Sequence, residues 1–188
     1  MTGKNAIEEP KIEIIEDKTL LRLVGCVFYG DPFHSAEGWS VETEIGMVWN
    51  RFLNLYKKNK KLILKHQVNP DISYEVHIEP EEYKETKKFY IFVGVEVKEL
   101  ENIPLEMYLK ILPATMYAKF TFQGNNIFKG GNYIYQEWLP QSIYQEAYPF
   151  LIQAYDQTHF KGLDNKKSEL DYYVPIAHKD VPHQQSDI

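Results

Sequence analysis

The 188-residue chain is long enough for one medium core and too short for two well-buried ones. With 44% hydrophobic and 26% charged residues it has the composition of a folded globular protein, and its net charge of -6 argues against direct nucleic-acid binding, which relies on clustered Lys and Arg. Aromatics reach 14%, with 14 Tyr and 3 Trp, a surplus over what an aliphatic core needs and one that suits wet pockets or interfaces.

Residues 1–11 are polar and read as a flexible N-terminus, residues 12–177 as a single domain, and residues 178–188 as a flexible tail. Leu20 to Tyr29 is an apolar run stopped by Gly30-Asp31-Pro32, which predicts a strand ending in a turn. From Thr43, the apolar residues Ile45, Val48, Trp49, Phe52 and Tyr56 recur with helical spacing, and the run Lys57-Lys58-Asn59-Lys60-Lys61 suits a helix C-terminus. Ile72 to Glu79 and Phe89 to Glu99 are β-branched and aromatic, and predict two strands joined as a hairpin. Met107 to Ile111 and Tyr117 to Phe122 read as one long strand broken at Pro113. Asn126 to Trp138 is a helical stretch stopped by Pro140, and the strands Phe150 to Asp156 and Ser168 to Ile176 close the chain.

The order strand, helix, strand, strand occurs twice, with Trp49 and Trp138 late in the two helices. This predicts an α+β fold: duplicated β-α-β-β units forming an antiparallel sheet, both helices on one face and a groove on the other.

In the last strand the period of two puts Glu169, Asp171 and Tyr173 on one face and Leu170, Tyr172, Val174 and Ile176 on the other. If the apolar set meets the helices, two carboxylates and a phenol face the groove, an arrangement suited to cations. Tyr117 is expected on the same concave surface, Trp138 as a flat cover, and Trp39 in the loop before the first helix as a cap. Either carboxylate is also a candidate general acid or base, so residue type alone does not separate binding from hydrolysis.

The six histidines (His34, His66, His77, His159, His178, His183) form no i, i+4 helical pair, and there is no CxxC, so neither metal nor cofactor is expected. Cys26 alone makes no internal disulfide. No apolar run approaches the roughly 20 residues of a spanning helix, and the N-terminus lacks a signal pattern, so the expectation is cytoplasmic with no membrane partner.

Several segments together resemble the GyrI-like small-molecule-binding family, the effector-binding domain of AraC-type and MerR-type multidrug regulators of bacteria. They are Trp49-Asn50-Arg51-Phe52, Gly94-Val95, Ile111-Leu112-Pro113-Ala114, Gln123-Gly124, Glu137-Trp138-Leu139-Pro140, Tyr155-Asp156 and Glu169 to Ile176. The resemblance implies a groove in which tyrosines and an acidic residue hold lipophilic cations, and by position it points to Tyr117, Trp138, Glu169, Asp171 and Tyr173. Two positions depart from the pattern: Gln153 stands two residues before Tyr155 where the family often has Glu, and Glu75 follows Tyr74 where glycine is usual.

Three readings of function follow. The first is a stand-alone protein that senses or sequesters lipophilic, aromatic or cationic compounds, with Gln153 contributing hydrogen bonding. The second is a hydrolase of an electrophilic natural product, with Glu169 or Asp171 as acid/base and Tyr173 positioning water. The third is an interaction protein of the gyrase-inhibitor type, acting on a protein partner or as a homodimer through acidic surface.

Overall fold

The computed structural model describes residues 9–16, 20–32, 43–99 and 102–179. The expectations for the chain ends fall largely on residues 1–8 and 180–188, outside these.

Among the described residues nine strands form one antiparallel sheet: β1 (Lys11–Ile15), β2 (Leu21–Gly30), β3 (Ile72–Ile78), β4 (Phe89–Glu96), β5 (Tyr108–Leu112), β6 (Met116–Gln123), β7 (Tyr144–Glu146), β8 (Phe150–Asp156) and β9 (Glu169–His178). The order across the sheet is β1-β6-β9-β8-β3-β4-β2-β5, with β7 on the outer end of β9. Reading that order from its centre, between β8 and β3, exposes the duplication: β3 matches β8, β4 matches β9, β2 matches β6, and β5 matches β1. Each half therefore has an additional leading strand, and the halves exchange them, because β1 pairs with β6 and β5 pairs with β2. The segment predicted as one broken strand is two strands in opposite halves of the sheet. Pro113, which has no N–H to give a ladder, marks the crossover between them.

α1 (Glu44–Lys58) forms where the spacing predicts it, with the Thr43 hydroxyl accepting from the Gly46 N–H at 3.3 Å. Glu44 in its first turn and Lys57 and Lys58 in its last complement the helix dipole. It buries Ile45, Val48 and Phe52 against Cys26, Ile91, Val93 and Val95. Two short helices, α2 (Lys60–His66) and α3 (Tyr83–Thr86), follow.

The second helical stretch, 124–141, is irregular, passing from 3-10 through α to π geometry and back to α. It buries Ile127 and Ile134 on Phe120, Phe122, Tyr172 and Val174. Gly130 is required there, since a Cβ would stand 2.9 Å from the Phe122 ring.

Both helical layers lie on one face of the sheet, as the pattern predicts. The other face carries a third core of Leu23, Val76, Phe92, Leu112, Tyr117, Phe150 and Ile152, with Ile15, Leu21 and Val27 packed against it and Tyr74, Tyr148 and Tyr173 partly buried beside it. The exchanged edge strands explain this, because β1 and β5 bring Ile15 and Leu112 onto a surface that two isolated β-α-β-β units would leave bare.

Candidate functional site

β9 alternates as its sequence dictates: Leu170, Tyr172, Val174 and Ile176 are buried beneath the helices, while Glu169, Asp171 and Tyr173 point to the opposite face. The register sets Thr121 opposite Asp171 and Lys119 opposite Tyr173. Asp171 is therefore not a lone acid. Lys119 Nζ lies 3.0 Å from its Oδ2, and the Thr121 hydroxyl donates to its Oδ1 at 2.5 Å. The same ammonium sits 5.8 Å from the centre of the Tyr173 ring, a cation–π distance. These partners were missed because alternation along one strand does not fix which residue of the next strand stands beside it. Glu169 begins the strand opposite Gln123, two turns of the pleat from Tyr173.

Tyr117 and Tyr173 come together as expected, with ring centres 6.3 Å apart and edge to face. Tyr117 is only 8% exposed, and its hydroxyl has no hydrogen-bond partner. Burial, with Tyr148 nearby, pushes its pKa up to about 12. Tyr148 stacks on Phe150, whose ring is 6.4 Å from that of Tyr117. Tyr74 joins the same cluster from β3, with Glu96 beside it. Burial holds the Glu96 carboxyl above its ordinary range. The result is a wall of Tyr74, Tyr117, Tyr148 and Tyr173, flanked by Asp171 and Glu96.

The remaining candidates lie elsewhere. Trp138 belongs to the helical face, edge-on to Phe120 at 4.9 Å and stacked on Tyr144, so it fills core rather than covering the tyrosines. Gln153 is buried on that same helical face and accepts from the Tyr155 hydroxyl at 2.9 Å. Trp39 falls outside the described residues. Among the described residues no group of three His, Cys, Asp or Glu side chains is placed to hold a metal ion. No helix there is long and apolar enough to cross a membrane.

One buried acid escaped the sequence reading as a site residue. Glu75 is fully buried on the helical face, accepting from Trp49 Nε1 at 2.5 Å and lying 2.6 Å from His77 Nε2. Ser73, Glu75 and His77 alternate like a solvated strand face, and only the helix packed above them reveals otherwise. Beside Glu75, a groove of ≈ 670 Å³ opens between α1 and the segment after β8. At the position related by the duplication is a smaller hollow of ≈ 360 Å³, lined by His77, Glu79, Tyr135 and Glu146 among others.

A family model for the GyrI-like small molecule binding domain matches residues 11–177. Among solved structures, SAV2435 bound to tetraphenylphosphonium has a TM-score of 0.61 at 12% identity, covering 90% of this chain and 94% of that one. An integron cassette protein from the mobile metagenome of Vibrio cholerae has a TM-score of 0.57 at 14% identity, covering 90% of this chain and 97% of that one. The EcmrR C-terminal domain has a TM-score of 0.54 at 12% identity, covering 90% and 98%. At such identities the likeness is one of fold. No curated protein sequence matches the chain.

Proposed function

The chain belongs to the GyrI-like small molecule binding domain family, and on that premise we propose that it binds lipophilic aromatic cations against the tyrosine wall, in a sensing or sequestering role. The observation that carries this reading is the Tyr117 hydroxyl, buried among rings with nothing to bond. An unsatisfied buried polar group costs about 1–3 kcal/mol. A ligand that presents a ring face, an acceptor atom or a trapped water to it recovers part of that cost.

Lys119 supports the choice of charge. Its ammonium already occupies the place a bound cation would take, between the Asp171 carboxylate and the Tyr173 ring. Held by Lys119 and Thr121, Asp171 serves as a fixed counter-ion rather than a proton carrier, which favours binding over hydrolysis. Gln153, on the other face, takes no part.

The test is calorimetric titration with tetraphenylphosphonium, the ligand in the SAV2435 structure, and with tetraphenylborate, nearly the same shape with reversed charge. Saturable binding of the cation, none of the anion, and a loss of about tenfold in Asp171→Asn, equal to about 1.4 kcal/mol, is the expected result. Equal binding of both ions, or of neither, contradicts it.

A further inference from the structure

The sheet ends on one side at β5. Among the described residues no strand pairs with its outer side, so alternate N–H and C=O groups point outward with the spacing that a further strand would match. β5 and its flanks also gather exposed apolar residues: Leu105 at 100%, Tyr108 at 52%, Leu109 at 39% and Ile111 at 46%. Leu20, next to the residue that pairs with Leu112, adds another at 42%. Exposed apolar residues scattered singly are common on protein surfaces, whereas a group of them along an unpaired edge makes a template for another strand.

The opposite edge of the sheet provides a contrast. β1 carries Lys11 and Glu13 among its five residues, both exposed, and charges on an edge strand discourage pairing because they lose water when a neighbour arrives. β5 has one charge, Lys110.

The register against β2 sorts the side chains of β5. Leu109 and Ile111 stand opposite Val24 and Arg22, on the helical face, and Tyr108 and Lys110 opposite Gly25 and Leu23, on the other. A two-fold axis through Leu109 makes this strand complementary to itself. On one face it sets Leu109 against the partner's Leu109, and Ile111 against the partner's Met107. On the other it sets Tyr108 against the partner's Lys110, and the reverse. A tyrosine ring face attracts an ammonium, so the single charge of the strand meets an aromatic ring rather than its own kind. An axis through Lys110 would oppose two ammonium groups, and one through Ile111 would draw on Pro113, which has no N–H for the ladder.

We propose that two copies of this chain associate through β5, antiparallel about a two-fold axis at Leu109, joining two sheets into one. Such a pairing is closed: it uses both β5 edges and leaves neither open to a third copy. The contact lies at the rim of the sheet, away from Asp171 and Tyr173 in β9, so it goes beyond the ligand reading and does not depend on it.

Sedimentation velocity of the full chain across a dilution series measures the association. A dimer that dissociates on dilution, with its Kd raised at least about tenfold by Leu109→Lys and by Ile111→Lys and unchanged by Ile12→Lys on the β1 edge, supports the proposal. Thermal unfolding at concentrations where the native chain is monomeric separates a lost contact from a lost fold. Both β5 residues are exposed, so their Lys variants are expected to melt with the native chain. Leu109→Cys gives a second readout. Directly opposed residues stand about 5 Å apart at Cβ, near disulfide range, so mild oxidation links this variant into dimers, while the fully buried Cys26 links nothing in the native chain. A chain that is monomeric at every concentration overturns the proposal, and so does a dimer that ignores both β5 substitutions or is lost in Ile12→Lys instead. A dimer whose Leu109→Cys variant does not cross-link overturns the axis. In the monomeric case, slow hydrogen exchange at the outward β5 amides would assign the edge to another segment of this chain, and fast exchange to none. A β5 dimer that fails to bind tetraphenylphosphonium would sink the tyrosine-wall reading alone.

Discussion

Tyr117 has a hydroxyl that its own protein does not satisfy, and that gives a pair of opposed expectations. Tyr117→Phe removes a buried polar group with no partner, so the free protein should gain about 1 kcal/mol in urea unfolding, while affinity for tetraphenylphosphonium falls. Loss of stability in that variant would show that the hydroxyl is bonded after all. Lys119 gives a second expectation. Its ammonium competes with any ligand for Asp171 and the Tyr173 ring, so Lys119→Met should raise the affinity for a monocation several-fold by calorimetry; a fall would make Lys119 part of the ligand's support.

Glu146 gives a third expectation, in pH. Its burial raises the carboxyl above the ordinary 4.5; the hydrogen bond from Tyr135 partly offsets this, and the nearby Glu79 adds to it. A raised folded-state value penalises the folded protein above that value and releases the penalty as pH falls through it toward 4.5. Glu146→Gln, which keeps an acceptor for Tyr135, should therefore unfold at a higher temperature than the native chain at about pH 8, with the difference shrinking on acidification. A difference that is constant with pH would refute the assignment. At this scale the sequence told which side of β9 each residue faces, and it brought Tyr117 and Tyr173 onto one surface. It did not tell that Asp171 is paired, or that Glu75 is buried, because both depend on what packs from a different element.

α1 was legible because its apolar spacing and the lysine run at its end agree. The 124–141 stretch was legible as helix but not in its irregularity: Gly130 lets Phe122 and Tyr172 come close, and the backbone accommodates by tightening and widening its turns. β1 carries only five residues and is not identified as a strand from the sequence, since its partner β6 lies more than a hundred residues away in the chain. The crossover between β5 and β6 was visible as a break without its meaning.

A close approach within the sheet provides a stability test. Gly25 of β2 pairs with Gly94 of β4, and a Cβ on Gly25 would stand 1.9 Å from the Val93 carbonyl oxygen. Gly25→Ala should lower stability by on the order of 3 kcal/mol, measured by denaturant unfolding, since backbone rather than a flexible side chain has to yield. An unchanged midpoint would mean that β2 and β4 are further apart than described.

For the molecule as a whole, duplication explains both the fold and the division of its two faces. Exchange of the edge strands lays β1 and β5 along the tyrosine side, so Tyr117 carries its unbonded hydroxyl within a core. The helical face keeps an open aromatic groove in one half and a smaller acidic hollow in the other. Repetition of strand, helix, strand, strand was enough to predict a sheet with helices on one side. It was not enough to predict strand exchange, because exchange leaves the local hydrophobic pattern unchanged.

The most direct measurement is a crystal structure of the chain with saturating tetraphenylphosphonium. The account predicts the cation against Tyr117 and Tyr173, its charge beside Asp171, and Lys119 displaced from the Tyr173 ring. Ligand found only elsewhere, with Lys119 still on Asp171 and the tyrosine wall unchanged, would contradict it.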